Sequence, residues 1–183
     1  LASQIANSTS NTFTETSPLV SAAVRYRDLM LRCQVVGSPA VSGGTVIGIR
    51  VFRSRQGDVR RVAKSFSFLR GQESSLEEER RAMVADIRAG SEGADVESFL
   101  GKLVSERLNL IVSGGTSTGK TTLANALLAE GAKTTDRVVI IEDTRELQCA
   151  APNLVAMRTK DGVATLSELV RSSLRLRPDR IPI

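Results

Sequence analysis

The chain of 183 residues contains no histidine and no tryptophan. Without histidine, this stretch holds no Ser-His-Asp or Cys-His nucleophilic machinery and no imidazole metal ligand. Five phenylalanines and one tyrosine are its only aromatic residues, so a core has to come from Leu, Val, Ile and Ala. The two cysteines, Cys33 and Cys149, lie far apart and fit no metal-ligand spacing. That argues against a disulfide framework or a zinc site and for a reducing, cytoplasmic setting. No apolar run approaches the ~20 residues needed to span a bilayer. The opening "LASQIANSTS" has neither the basic nor the apolar region of a signal peptide. It also lacks an initiator methionine, so the chain is expected to be part of something longer.

What is present is a hydrophobic share of 41% and a net charge of +5, enough for one domain or two small ones. The positive surplus is uneven. Arg25, Arg27, Arg32, Arg50, Arg53, Arg55, Arg60 and Arg61 fall before residue 70, where acids are few. Such a face suits nucleotide phosphates, nucleic acid or an anionic membrane; a solvated arginine-rich surface is the plainer reading.

"LASQIA" reads as the last turns of a helix. Three β-like runs follow, "SPLVSAAVRY", "DLMLRCQVV" and "GTVIGIRVF", and predict a small antiparallel sheet. "RSRQGDVRR" is a candidate interdomain linker. "SLEEERRAMVADIRAG" predicts a helix that Ser75 caps and Gly90 stops. In "ADVESFLGKLVSERL", Val96, Phe99, Leu100, Leu103 and Val104 share a helical face and read as core. From Leu108 onward the pattern becomes strand "LNLIV", glycine loop, helix "KTTLANALLAE", strand "RVVIIE", strand "NLVAMRT", helix "TLSELVRSSLRL" and strand "RIPI". Apolar strands alternating with amphipathic helices indicate the α/β class with a parallel sheet.

Gly114, Gly119, Lys120 and Thr121 fit G-x-x-x-x-G-K-[ST], the phosphate-binding loop, set between an apolar strand and an apolar helix. Glycines let backbone amides crowd around phosphate oxygens. The following helix turns its unpaired amides and positive dipole end toward the anion. Gly115, Thr116, Ser117 and Thr118 keep the loop small, and Thr122 continues it into the helix. Lys120 reaches the outer phosphates, and the Thr121 hydroxyl is the candidate Mg²⁺ ligand. "VVIIED" then puts Glu142 and Asp143 at a strand end, with Glu146 close behind. Such carboxylates either serve a bound metal and an attacking water or cap a helix and pair with Arg145. By pattern alone, Glu142 is either the Walker B acid or a second acidic element opposite it. Arg171 and Arg175 lie four apart on one predicted helix face, where they can stabilise a transferring phosphoryl group or form a solvated basic surface.

Together, "LIVSGGTSTGKTTLANALL", "RVVIIEDTRELQ", "APNLVAMRT" and "LVRSSLRLRPDRI" resemble the traffic ATPases of type II and type IV secretion, in particular their conjugal-transfer, TrbB-like branch. The resemblance is dense from Leu108 to the end and weaker over the three β-like runs. It implies a small α+β N-terminal domain over 1–56, a linker over 57–74 and a RecA-like P-loop domain over 75–183, incomplete at its C-terminus. It implies ATP and Mg²⁺ as ligands, with Gly114 to Thr122 as the Walker A loop. "IEDTRE" becomes an acidic box in which Glu142 polarises the attacking water beside Glu146. Arg171 and Arg175 take γ-phosphate-sensing positions, and Arg50 is an N-terminal-domain arginine that reaches the nucleotide. The partners implied are a homo-hexameric ring, inner-membrane secretion or conjugation machinery, and peripheral contact with the cytoplasmic membrane face.

The family's Walker B glycine-glutamate pair and histidine-containing box would follow Ile183, so the chain as it stands is expected to hydrolyse ATP weakly or not at all. Two other functions fit the loop: a P-loop kinase for a small molecule, and a nucleotide-gated binding module without turnover. Direct nucleic-acid contact is left undecided, because base-stacking aromatics are scarce.

Overall fold

In "LVSAAVRY", Val20, Ala22 and Val24 fall on every second position, which directs them to one side of a strand. The computed structural model, which describes residues 1–52, 73–92 and 95–183, turns this into the first strand of an antiparallel sheet. The sheet runs β1 (Leu19–Tyr26), β2 (Leu29–Val36), β3 (Val46–Phe52) in that spatial order. Its register pairs Val20 with Val35, Ala22 with Cys33, and Cys33 with Ile49. The face so defined closes on Ile5 and Ala6 of a short helix, α1 (Ala2–Asn7). The opposite face carries Ser21, Gln34 and Gly48 in one row, then Ala23, Arg32 and Arg50, then Arg25, Met30 and Phe52.

The chain divides into two compact units, Leu1–Arg53 together with Leu110–Ile183, and Ser54–Asn109. The second unit holds the two predicted helices, α2 (Glu73–Glu92), which begins before Ser75 and runs past Gly90, the expected cap and stop, and α3 (Val96–Ser105). Lys102 of α3 pairs with Asp86 of α2. Val104 is buried and Phe99, Leu100 and Leu103 are half-buried, but Val96 is 66% exposed. Val96 opens the first turn, so helical spacing does not bring it under cover. The linker expected over 57–74 lies, as far as residue 72, outside the described residues.

In the first unit, α4 (Lys120–Gly131) leads to β4 (Arg137–Glu142), β5 (Asn153–Arg158) and α5 (Leu166–Ser173). β4 and β5 are parallel, with Val139 opposite Val155 and Ile141 opposite Met157. Four consecutive β4 residues, Val138 to Ile141, are buried. The pleat explains the unbroken run. Val138 and Ile140 meet Leu128 and Ala151, while Val139 and Ile141 enter the main core with Val155, Met157, Leu169 and Leu176.

That main core also contains Val36, Ala40 and Val41 from the N-terminal sheet region. The backbone joins there too, as Arg158 N donates to Ala40 O (3.0 Å) and Ser42 N to Ala156 O (3.1 Å). The α/β class read from the sequence holds, with two departures at strand ends. "RIPI" makes only an isolated parallel bridge to β4, where Val139 N donates to Arg180 O and Ile141 N to Pro182 O, each at 2.9 Å. Pro182, within the run, and Pro178, two residues before it, have no amide to extend a ladder. "LNLIV" forms no strand, and Leu110 and Ile111 are 40% and 94% exposed. An apolar run states a preference for burial; a strand also needs a hydrogen-bonding edge, and none reaches this run among the described residues.

α5 opens on a capping box. Thr165 Oγ1 accepts from Glu168 N (3.3 Å), and Glu168 Oε2 accepts from Thr165 N (2.8 Å). The Thr165 amide and hydroxyl hold the Glu168 carboxyl below its ordinary range. A depressed folded pKa contributes stability above the unfolded value and loses it as pH falls through the folded one. Glu168→Ala should therefore lower the urea midpoint most near neutral pH. The gap to wild type should close as pH falls below about 4. An unchanging gap would show that the cap does not depend on ionisation.

Candidate nucleotide-binding site

A phosphate loop has to leave amides unsatisfied until its ligand arrives. Gly119, in the left-handed region at φ 87°, is the N-cap of α4 and provides no side-chain cap to the first turn. The first amides of the helix therefore point into the loop uncapped, with the positive end of the dipole behind them. Ser117 also adopts positive φ, 61°. Residues Ser117 to Thr122 line a depression of about 300 Å³ walled by hydroxyls, a glycine and the Lys120 amine. Gly114 is fixed by space, since a Cβ there would lie 2.7 Å from Thr118 Oγ1. Thr118 Oγ1 itself donates to Gly115 O (2.9 Å), and Lys120 Nζ folds back onto the same carbonyl. Thr116 lies exposed at the loop tip.

The acidic turn after β4 faces this helix. Glu142, at the strand end, uses Oε1 to accept from Glu146 N (2.8 Å) and Leu147 N (2.7 Å). Glu146 Oε2 in turn accepts from Thr121 Oγ1 (3.0 Å). Two hard oxygens of the kind Mg²⁺ prefers thus stand side by side at the mouth of the loop. Mg²⁺ is usually held by one or two protein oxygens plus substrate phosphates rather than by an all-protein cage. Accordingly, no cluster of three or more Asp, Glu, Cys or His fit for a metal occurs among the described residues. Thr121 and Glu146 fit the ion, although the sequence assigned only Thr121 to it.

The arginines lie elsewhere. Arg175 Nη1 donates to Ser21 Oγ and to Gln34 Oε1 (3.3 Å) on the N-terminal sheet. Gln34, 1% exposed, also donates to Ser172 Oγ (3.4 Å). At this seam a Cβ on Gly48 would sit 3.0 Å from Leu176 and 3.2 Å from the Arg175 carbonyl. Arg171 is exposed in the last turn of α5, and Arg50 is exposed on β3 opposite Arg32. No hydrogen bond or ion pair joins Arg50, Arg171 or Arg175 to the loop among the described residues.

Two groups escaped the sequence reading. Asn125, one turn after Thr121, accepts from Gln148 N (2.8 Å) and reaches Glu146 O (3.4 Å). Its signal was a lone amide four residues past the motif threonine, in the stretch "TTLANALLA" otherwise of Ala, Leu and Thr. Gln34 was hidden because only its burial in the folded sheet singles it out. Burial also pushes the Cys33 thiol up, away from reactivity.

The profile of the family described as "Type II/IV secretion system protein" matches residues 75–183. A "Probable conjugal transfer protein TrbB" of Sinorhizobium fredii is 40% identical over 147 residues, covering 79% of this chain and 43% of that protein. A "Type IV secretion system protein VirB11" of Bartonella quintana is 32% identical, covering 99% of this chain and 54% of that one. The crystal structure of the VirB11 ATPase from the Brucella suis type IV secretion system, in complex with sulphate, superposes with a TM-score of 0.77 at 29% identity. It covers 99% of this chain and 52% of its own. The chain spans about half the length of these relatives.

The spacing at Gly114 gives a direct check. Gly114→Ala should weaken binding of a fluorescent ATP analogue by about tenfold, because the new methyl displaces Thr118. Adding Thr118→Ala, which removes the obstructing hydroxyl, should recover part of that loss. Equal affinity in wild type and Gly114→Ala would mean that this packing does not shape the loop.

Proposed function

Since the chain belongs to the type II/IV secretion system protein family, we propose that it carries the ATP-binding site of a secretion ATPase, a motor for conjugal transfer or type IV secretion. In this reading a small N-terminal domain (1–56) and a P-loop domain (75–183) belong to a subunit that works as a homo-hexameric ring. The observation that carries it is the contact between Thr121 and Glu146 at the mouth of an uncapped helix N-terminus. A plain glycine turn would have no reason to place a carboxylate there.

The loop amides from Gly114 to Lys120 receive the phosphates, and Lys120 exchanges the Gly115 carbonyl for a phosphate oxygen. Thr121 and Glu146 are the residues that would provide oxygens to Mg²⁺, which when bound would neutralise charge on the phosphate oxygens. Glu142 spends one oxygen on the backbone of the acidic turn and keeps the other for orienting the attacking water. Arg171, Arg175 and Arg50 act on the γ-phosphate in the assembled ring. For Arg175 this requires release from Ser21 and Gln34.

No helix among the described residues is long and apolar enough to cross a membrane. The sheet face bearing Arg25, Arg32 and Arg50, with Met30 and Phe52 each 47% exposed, supports peripheral contact with an anionic inner-membrane surface. Cationic groups among apolar ones suit a lipid headgroup layer.

Lys120→Ala should remove Mg-ATP binding in calorimetric titration while leaving the thermal unfolding midpoint close to wild type. Light scattering of the native protein should show a sixfold mass with Mg²⁺ and a non-hydrolysable ATP analogue. Phosphate release should need no acceptor. Absence of nucleotide binding in wild type would sink the reading, and a monomer under all conditions would remove the ring.

A further inference from the structure

Thr121 and Asn125 lie four residues apart and so occupy one face of α4. Both side chains of that face engage the segment after β4. Thr121 donates to the Glu146 carboxylate, while Asn125 accepts from Gln148 N at 2.8 Å and donates to Glu146 O at 3.4 Å. Asn125 therefore grips the backbone on both sides of Leu147. Glu142 grips the same turn from the strand, through the amides of Glu146 and Leu147. The backbone carrying Glu146 is thus anchored to two elements, β4 and the phosphate-loop helix.

We propose that Asn125 is a positioning residue that sets the Glu146 carboxylate against Thr121, and so fixes how tightly the site takes nucleotide together with a divalent cation. The inference rests on the Mg-nucleotide reading above and deepens it. Three features carry it. The turn after β4 is exposed from Asp143 to Glu146, so no burial of side chains there can hold it in place. Half-buried Leu147, at its end, packs on the cluster of Leu128, Val138, Ile140 and Ala151, and among the described residues the turn's side-chain hydrogen bonds to the rest of the fold are those with Glu142, Thr121 and Asn125. Of these, only Asn125 joins the backbone of the turn to the helix that bears Lys120 and Thr121. A primary amide suits the task because it offers one acceptor and one donor, and the turn presents an amide to the first and a carbonyl to the second.

Glu142 cannot substitute, because its bonds tie the turn only to its own strand. Outer groups that orient a metal's ligands typically change metal affinity by about 10–100-fold when removed. The effect of losing Asn125 should therefore appear in the cation-dependent part of nucleotide binding.

The experiment is calorimetric titration of the native protein with a non-hydrolysable ATP analogue, with Mg²⁺ and with EDTA, for wild type, Asn125→Ala and Asn125→Leu. Wild type should bind more tightly with Mg²⁺. Both variants should keep the EDTA affinity, showing that the fold and loop are intact, and lose about tenfold or more of the Mg²⁺ enhancement. Hydrogen exchange without nucleotide should show the Gln148 amide losing protection in both variants while the β4 amides keep theirs. If the variants retain the full Mg²⁺ enhancement, the positioning role is wrong. If the EDTA affinity falls equally, Asn125 acts on the loop itself and the proposal is likewise overturned. If wild type shows no Mg²⁺ enhancement, it is the Mg-nucleotide reading that fails, an outcome the wild-type titration alone identifies.

Discussion

β4 is buried on both faces, and that double burial decides where every functional group near it can be. Val139 and Ile141 press into the core shared with the N-terminal sheet, while Val138 and Ile140 press against Leu128 of the phosphate-loop helix and Ala151. A strand held from two sides cannot slip in register without turning its apolar set outward on both. Its last residue, Glu142, therefore emerges at a fixed height beside α4, half in and half out of solvent. Arg180 secures the strand's other end through Asp136, a 2.7 Å pair whose side chains are 15% and 7% exposed. An ion pair this buried fixes position more than it adds net stability.

From that fixed point the two glutamates divide the work by location. Glu142 is close enough to its own chain to satisfy two amides of the turn, and carboxylate acceptors make strong bonds of this kind. Glu146, lifted by that turn, meets the Thr121 hydroxyl. One acid builds the turn and the other is presented by it. A substitution at Glu142 therefore moves Glu146 as well, and activity loss at Glu142 cannot alone be assigned to water activation. Stability and affinity have to be read together.

The loop and helix of the site, and the strands β1 to β5, were legible because periodicity and small-residue loops are local signals. β1 to β3 alternate, β4 is continuously apolar, and the phosphate loop announces itself through Gly119, Lys120 and Thr121. Pairing is not local. The run "LNLIV" has the composition of a strand, yet composition does not supply an edge. In sequence Arg175 reads as a phosphate-binding group, and its partners in the fold, Ser21 and Gln34, lie more than a hundred residues earlier, where no local signal points to them. Nothing near Asn125 in sequence announces its role, because its partners, Glu146 and Gln148, belong to a turn whose path depends on Glu142.

The seam and the loop share a further property: each satisfies itself provisionally. Lys120 rests on Gly115 O at an exposed site, where an intramolecular hydrogen bond is worth only about 1 kcal/mol net. A phosphate oxygen offers the same ammonium a full opposite charge beside uncapped helix amides, so the exchange favours ligand. Arg175 makes two such contacts, to Ser21 Oγ and to Gln34 Oε1, a buried amide oxygen that also accepts from Ser21 Oγ at 2.5 Å. The loop is thus ready to accept an anion at little cost. Recruiting Arg175, which lies in the turn after α5, to that anion requires its bonds to Ser21 and Gln34 to break, so any role it has at the phosphate is coupled to its release from the N-terminal sheet.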